Sequence, residues 1–340
     1  MQQPNFPFDI RDVEEHDNEE LSKYFLGVGK ANIQVGPKKY LLISEYKNEA
    51  ANIYNMPVRS DDIFIVTYPR SGTTWTQEIV WLLASDLDYY TAANTPLQAR
   101  SVFIEFSMIM HKEFLDKMKK VHAGKEENLK ALDVVSTPGT VQVATMPSPR
   151  IIKTHLPMTL LPPTLLDTCK VVYVARDPRD VAVSFYHLTS SFQSFNFTGD
   201  FKTYWGLFVK DLMYWSPFFD HLKEAWEMRH HPNMMFLFYE ELTQNLSATV
   251  KRVAEFLGKE YTAEQFDELC THLKFDNFKK NPSVGIDNLK ELGIMAQKGE
   301  FIRKGKSGGW RDYFDEDMTR EAEEWIDKNL KDTDMRFPAV

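Results

Sequence analysis

Residues 63–75 read IFIVTYPRSGTTW, an apolar run that passes through a short turn into a helical pattern. The run at 63–68 shows no regular polar alternation, which is typical of a strand buried on both faces of a parallel sheet. From residue 73 to residue 84 the apolar side chains recur at helical spacing. The sequence therefore predicts a strand that leads directly into a helix, with a glycine-containing turn between them.

Three further apolar runs resemble the first one. They lie at 150–154 (RIIKT), 171–175 (VVYVA) and 234–238 (MMFLF). Helical patterns alternate with these runs, at 180–188, within 201–229 and at 241–257. This alternation predicts an α/β fold with a central, mostly parallel sheet flanked by helices. The first turn makes the expected architecture P-loop-like.

The chain has 340 residues, of which 43% are hydrophobic, and no Gly/Ser- or Pro-rich linker divides it. We therefore predict a single domain over residues 1–340. The connection at about 94–149 is unusually long, with an apolar stretch at 101–114 followed by a Lys- and Glu-rich stretch. It is either a helical excursion that packs on the sheet or a lid over an active site.

The formal net charge is −9, which disfavours nucleic-acid and anionic-membrane partners. An anionic ligand would need a local basic pocket. Cys169 and Cys270 are too few for a disulfide framework, and the acidic N-terminus lacks the apolar region of a signal peptide. Because no 18-residue apolar run occurs either, we predict a cytoplasmic protein without a membrane span.

The turn at 68–75 has the composition of an anion site. Gly72 would let the backbone approach an oxyanion closely, and the first N–H groups of the following helix would point at it. Ser71, Thr73 and Thr74 add hydroxyl donors, and Arg70 adds a charge. The cation precedes the glycine, so the turn is not a Walker A motif. An ordinary Ser/Thr helix cap is the alternative.

A second basic segment lies near the C-terminus. Residues 301–311 read FIRKGKSGGWR, in which four cations and three glycines occur within nine residues. Such a backbone can wrap a phosphate, although a solvated basic loop has the same composition. The third strand ends in ARDPRD at 175–180 and places Arg176 at the sheet edge where α/β folds bind ligands. A structural ion pair is the alternative for Arg176.

The second strand ends in KTHLP at 153–157, so His155 falls at the same edge of the sheet. Histidine is a competent general base near neutral pH. The chain has nine histidines, and a surface or core histidine is the alternative at this position.

Taken together, these segments resemble the cytosolic sulfotransferase family, and most closely its insect members of the retinol dehydratase type. Residues 67–75 (TYPRSGTTW) resemble the family's 5′-phosphosulfate loop, and 153–157 resemble its catalytic strand end. Arg176 and Ser184 match its 3′-phosphate pair, and 303–305 (RKG) match its C-terminal phosphate loop. The insect members share the long connection and arginine at position 70.

The resemblance implies a sulfotransferase fold and in-line transfer of a sulfonate group from PAPS (3′-phosphoadenosine 5′-phosphosulfate), which leaves PAP. The acceptor would be the hydroxyl of a small apolar or aromatic phenol or alcohol, as in small-molecule metabolism or detoxification. His155 would be the general base, Lys153 would contact the sulfonate, and Arg70 stands where most members have lysine. The residues implied to bind the nucleotide are Arg70, Ser71, Gly72, Thr73, Thr74, Trp75, Arg176, Ser184, Tyr239, Phe275, Arg303, Lys304 and Gly305. No metal is implied.

The sequence does not identify the acceptor molecule. Its pocket is expected to draw on the N-terminal segment, the stretch at 101–114 and loops near 185–197. Residues 311–320 do not match the family's usual dimer motif, so that homodimer is not predicted. The alternatives are sulfonation followed by elimination, as in a retinol dehydratase, a P-loop phosphotransferase, and a ligand-binding protein without activity.

Overall fold

The computed structural model describes residues 5–298 and 300–339. Its strands form two sheets, one of three antiparallel strands and one of five parallel strands. The strands are β1 Ile10–Asp12, β2 Asn32–Val35, β3 Tyr40–Ile43, β4 Ile63–Thr67, β5 Ser101–Phe103, β6 Ile151–Thr154, β7 Lys170–Ala175 and β8 Met234–Phe238.

Helices flank the sheets and make most of the connections. They are α1 Glu15–Tyr24, α2 Tyr46–Tyr54, α3 Thr73–Ala84, α4 Tyr89–Asn94, α5 Leu97–Arg100, α6 Phe106–Ile109, α7 Lys112–Val121, α8 Glu126–Ser136, α9 Gly139–Thr145, α10 Leu165–Thr168, α11 Pro178–Ser191, α12 Phe201–Val209, α13 Phe218–Glu227, α14 Tyr239–Gln244, α15 Leu246–Leu257, α16 Ala263–Leu273, α17 Phe275–Lys280, α18 Asp287–Glu291 and α19 Glu316–Leu330. Short 3-10 turns lie at Met158–Leu160, Pro282–Val284 and Gly309–Asp312.

The parallel sheet has the order β5-β6-β4-β7-β8, with β4 in its centre. Successive residues of β4 alternate between two hydrophobic clusters, Phe64 and Val66 on one face and Ile63 and Ile65 on the other. Both faces of the strand are therefore covered, which explains why its sequence lacks polar alternation. The predicted α/β architecture is confirmed.

Three features differ from the sequence prediction. The stretch at 101–114 begins with the edge strand β5, and the N-terminal segment forms the antiparallel sheet β1-β2-β3. The helix expected at 241–257 is divided into α14 and α15 at Asn245. The Asn245 side chain accepts a hydrogen bond from Ala248 N at 3.0 Å and so starts a new helix.

The long connection at 94–149 contributes β5 to the sheet and packs its helices against neighbouring loops. His111 Nε2 lies 3.1 Å from Ser194 O, and His122 Nε2 lies 3.1 Å from Leu292 O. The connection thus docks on the body of the molecule, while its function as a lid stays a prediction. Among the residues described, no helix is both long and apolar enough to cross a membrane.

Candidate active site

The turn between β4 and α3 presents its backbone to a cleft at the carboxyl edge of the sheet. Gly72 has φ 98°, in the left-handed region, and a Cβ at this position would strike the ring of Tyr239. Glycine is therefore required both for the turn and for the close approach of Tyr239. Helix α3 begins at the next residue, Thr73, so its first N–H groups face the cleft.

Two polar atoms beneath this cleft are buried and have no partner among the described residues. They are Ser71 Oγ and Arg176 Nε. A buried donor without a partner costs about 1–3 kcal/mol, so such atoms are rarely left unsatisfied unless a ligand completes them. A phosphate group offers acceptor oxygens of the required kind, and these two atoms fit an anionic nucleotide.

The cleft is lined by residues from six separated segments of the chain. Gly72 and Lys304 line the same cleft, as required if a single nucleotide contacts both. Of the site residues predicted from the sequence, Ser71 lies beneath the surface and the others line the cleft; these are Arg70, Gly72, Thr73, Thr74, Trp75, Lys153, His155, Arg176, Ser184, Tyr239, Phe275, Arg303, Lys304 and Gly305. Their individual roles stay predictions.

Asp180 attaches the C-terminal basic loop to the cleft, and the sequence analysis missed it. Its carboxylate accepts hydrogen bonds from Gly308 N at 2.6 Å and Trp310 N at 2.9 Å. Arg176 Nη2 also donates to Lys306 O at 3.0 Å. The position of Asp180 four residues after Arg176 was the available signal, but its partners lie 128 and 130 residues away.

Arg70 faces the C-terminal loop. Its Nε donates to Ser184 Oγ at 3.0 Å, and its Nη2 donates to Phe301 O at 2.8 Å. The planar guanidinium makes both bonds at once, which a lysine ammonium could not do in this geometry. Burial, together with the charges of Arg176 and Arg303, lowers the pKa of Arg70 to about 10. The guanidinium therefore stays charged at neutral pH.

Aromatic residues line the other side of the cleft. Trp75 Nε1 donates to Leu273 O at 2.9 Å, which fixes the indole, and the Trp75 and Tyr239 ring centroids are 6.0 Å apart. Phe275 packs so closely on Gly305 that a side chain at 305 would overlap its ring. The glycine in the RKG segment thus lets the basic loop pass over Phe275.

The histidine at the end of β6 is neutral and has a defined tautomer. His155 Nδ1 lies 2.8 Å from Thr67 O, an atom that can only accept, so Nδ1 carries the proton. Burial and the charge of Lys153 lower the pKa of His155 well below its ordinary value of 6.5. At neutral pH the other nitrogen, Nε2, therefore has a free lone pair.

Two buried groups hold the backbone of His155. His221 Nε2 donates to His155 O at 2.9 Å, while Glu105 accepts a hydrogen bond from His155 N. Glu105 also accepts one from Thr154 Oγ1 at 2.9 Å. The strand end that carries the imidazole is therefore fixed from both sides. Neither Glu105 nor His221 was found from the sequence, because each lies at least 50 residues from His155.

The half-buried Lys153 and the buried Glu105 interact electrostatically beside this histidine. Burial lowers the pKa of Lys153 below its usual 10.5, an effect that Glu105 partly offsets. Burial raises the pKa of Glu105 above its usual 4.5. Lys153 Nζ lies 4.1 Å from the centroid of the Phe103 ring, which holds the ammonium at the cleft.

A smaller, mostly apolar cavity lies behind this strand end, on the side of Trp215. It is lined by Leu42, Ile43, Tyr46, Glu105, Met108, Ile109, Tyr214 and Trp215. The Trp215 and His155 ring centroids are 5.6 Å apart, so Trp215, which lines the cavity, packs near the imidazole that lines the nucleotide cleft. Residues 214–215 lie outside the segments that were expected to form the acceptor pocket.

Four features together define a nucleotide-dependent group transferase. They are a parallel α/β sheet, a helix N-terminus that faces the cleft, a basic loop over the same cleft and a neutral histidine. Residues 60–334 match the family described as sulfotransferase domain. The chain belongs to the sulfotransferase family. The predicted family and the predicted PAPS-dependent sulfotransferase activity are thereby confirmed.

Curated relatives cover most of the chain. Sulfotransferase 1C2 of Rattus norvegicus is 30% identical over 288 residues, which are 84% of this chain and 89% of that protein. Luciferin sulfotransferase of Photinus pyralis is 30% identical over 310 residues, which are 88% of this chain and 79% of that protein.

Two solved structures share nearly the whole fold. Retinol dehydratase in complex with androsterone and the inactive cofactor PAP is 42% identical, with a TM-score of 0.93 and coverage of 98% of this chain and 99% of that chain. Retinol dehydratase in complex with retinol and PAP is 43% identical, with a TM-score of 0.92 and the same coverage of both chains. The similarity therefore extends beyond the sulfotransferase motifs to the long connection at 94–149.

Proposed function

We propose that this protein transfers the sulfonate group of PAPS to the hydroxyl of a small, neutral, largely apolar acceptor in the cytoplasm, with His155 as the general base. The observation that carries the proposal is the neutral imidazole of His155, which lines the basic cleft with Nε2 unprotonated and packs near Trp215 of the apolar cavity.

The basic cleft suits the nucleotide. Thr73 and Thr74 N–H groups and Ser71 Oγ would hold the 5′-phosphate, and Arg176, Ser184, Arg303, Lys304 and Gly305 would hold the 3′-phosphate. Trp75, Tyr239 and Phe275 would enclose the adenine. PAPS supplies the sulfonate group when bound. The unpaired Ser71 Oγ and Arg176 Nε support this assignment, because both would gain an acceptor.

His155 would take the proton of the acceptor hydroxyl at Nε2. The bond from Nδ1–H to Thr67 O orients the ring, and the bonds to Glu105 and His221 fix its backbone. A base positioned in this way contributes about 10²- to 10⁴-fold to a rate. Because the site is arranged before the substrate arrives, little reorganisation is needed at the moment of transfer.

Lys153 would supply positive charge to the transferring group. Its ammonium lines the cleft beside His155, and its buried surroundings strengthen its interaction with an anion. Arg70 would serve the same cleft by joining the phosphate turn to Ser184 and the C-terminal loop. The family resemblance also implies a catalytic role for Arg70, which stays a prediction.

The acceptor cavity favours a neutral apolar molecule. Its single charged lining residue is the acid Glu105, and none of its described lining residues is a cation. A carboxylated phenol would face Glu105 without a counter-charge, at a high desolvation cost. Apolar phenols, steroids and isoprenoid alcohols suit these walls better.

A second outcome of the same chemistry is elimination of the sulfate from an allylic product. The 42–43% identity and TM-scores of 0.92–0.93 to retinol dehydratase favour testing it. The two outcomes differ in mass: a stable product gains SO₃, whereas an eliminated product loses water.

The experiment is a PAPS-dependent screen of purified protein against phenols, steroids, retinoids and acidic tryptophan metabolites, read by mass spectrometry. We expect turnover of one or more neutral apolar alcohols, with one PAP formed per acceptor consumed. Binding of PAP without consumption of any acceptor would overturn the proposed activity. Turnover of the acidic metabolites alone would overturn the proposed acceptor class.

A further inference from the structure

The apolar cavity beside His155 contains two polar atoms that nothing in the described structure satisfies. Tyr46 Oη and Trp215 Nε1 are buried and have no hydrogen-bond partner among the described residues. The exposed fraction of Tyr46 is 0% and that of Trp215 is 5%, so bulk solvent does not solvate them. Both residues line the cavity.

Unsatisfied atoms of this kind are costly. Buried donors almost always have a hydrogen-bond partner, and a phenylalanine at position 46 would fill nearly the same space without an unsatisfied group. Trp215 also has φ 69°, in the left-handed region that bulky residues rarely adopt. Trp215 N donates to Leu41 O at 2.8 Å, which holds the residue in this conformation. Such local strain is characteristic of ligand sites.

Glu105, the neighbouring acid, accepts no hydrogen bond from Tyr46 Oη or from Trp215 Nε1. The two oxygens of Glu105 accept from His155 N and from Thr154 Oγ1, and neither is bonded to Tyr46. The indole N–H can only donate, and the phenol can donate as well. The missing partner must therefore offer lone pairs. No cation is among the described residues that line the cavity, so an anion is disfavoured and a neutral oxygen in an otherwise apolar molecule fits best.

We propose that the cavity selects acceptors that carry a second oxygen, such as a ketone or an ether, in addition to the hydroxyl that is sulfonated. Tyr46 Oη and Trp215 Nε1 donate to this second oxygen. The inference rests on the proposed sulfotransferase function and adds a chemical class to its acceptor. A site with fixed donors discriminates against an analogue without the matching oxygen, because the donors are then left unpaired.

The test compares matched acceptors that differ only in the second oxygen. One pair is androsterone and its 17-deoxo analogue, and the others are 4-hydroxyphenyl ketones and 4-alkylphenols of equal length, with the carbonyl at successive positions. In the wild type we expect one or more oxygenated members to have the higher kcat/KM. Tyr46→Phe should reduce that preference roughly fivefold, as for one neutral hydrogen bond.

Tyr54→Phe is the matched control. Tyr54 lies on the same helix, but its ring packs against Phe6 and Phe8 and does not line the cavity. It should leave the preference unchanged. A structural role of Tyr46 would change both members of a pair equally, so the ratio separates recognition from folding.

Three outcomes are decisive. A preference that falls in Tyr46→Phe and persists in Tyr54→Phe supports the inference. Equal ratios in wild type and Tyr46→Phe for every pair would mean that water satisfies the donors, and would overturn the inference while the sulfotransferase proposal stands. Absence of transfer to every acceptor, with PAP binding intact by calorimetry, would overturn the proposed function itself.

Discussion

The two halves of the active site differ in how they are built. The proposed nucleotide half consists of short motifs at strand ends that are rich in cations and glycines, and its residues line one cleft. The proposed acceptor half consists of side chains from three separated segments around a smaller, mostly apolar cavity. The proposed phosphate contacts thus depend on local backbone geometry, whereas the proposed acceptor contacts depend on side chains that are distant in the sequence.

His155 joins the two halves, so its replacement should have the largest effect. We expect His155→Ala to lose about 10²- to 10⁴-fold in kcat, because the acceptor hydroxyl loses its base. The dissociation constant for PAP, measured by calorimetry, should stay within about twofold, since no phosphate contact is assigned to the imidazole.

His230→Ala, at an exposed position, is the matched control and should leave kcat unchanged. Similar kcat values in His155→Ala and wild type would show that the imidazole is not the base. A large loss of PAP affinity would show that the two halves are not separable at this residue.

The nucleotide half is tested by Arg303→Ala. A charge-assisted contact to phosphate is worth about 1.5–3 kcal/mol, so we expect PAP to bind roughly 10- to 150-fold more weakly. The acceptor preference measured at saturating PAPS should not change, because Arg303 lines only the nucleotide side. Lys331→Ala, an exposed cation elsewhere on the chain, is the control. An unchanged dissociation constant would remove Arg303 from the 3′-phosphate site.

The buried charges at the junction of the halves predict an asymmetric pH profile of kcat/KM for PAPS. The pKa of His155 is lowered well below 6.5, so the imidazole is already neutral near pH 6.5. Protonation of His155 should therefore produce no acid limb near 6.5. The pKa of Lys153 is lowered below 10.5, so its charge is lost as the pH rises through a value below 10.5. Activity should then fall roughly tenfold per pH unit.

Lys153→Arg is the diagnostic variant, because a guanidinium keeps its charge over this range and should remove the alkaline limb. Because the pKa of Glu105 is raised to about 7, an acid limb near 6.5 would contradict the assignment of a buried neutral imidazole only if it persists in Glu105→Gln. An alkaline limb that persists in Lys153→Arg would assign it to another group.

The same contrast explains what the sequence could predict. The strand–turn–helix at 63–84 was read correctly because its geometry is encoded by neighbouring residues, a double-faced apolar strand, one glycine and a helical pattern. The basic segment at 303–305 was linked to that turn only through the family resemblance. Asp180 fixes that loop through contacts to Gly308 and Trp310, which lie 128 and 130 positions further along the chain. No local sequence pattern predicts contacts over such a separation.

The sequence analysis expected the N-terminal segment and the stretch at 101–114 to line the acceptor pocket, but it could not identify the individual residues, for a similar reason. Glu105 was part of an apolar stretch whose edge strand, β5, has only three residues, too few to show a period. Tyr46 and Trp215 come from segments that the sequence gave no reason to join, and each looks like an ordinary core aromatic residue. Their unpaired donors become visible only when the surrounding atoms are in place.

A crystal structure of the protein with PAP tests the central claim most directly, because it locates both phosphates. The account predicts the 5′-phosphate within hydrogen-bond distance of Ser71 Oγ and the Thr73 and Thr74 backbone N–H groups. It predicts the 3′-phosphate against Arg176, Ser184 and Arg303. A PAP molecule that contacts only one of the two basic segments, or that places its 5′-phosphate away from Lys153 and His155, would contradict it.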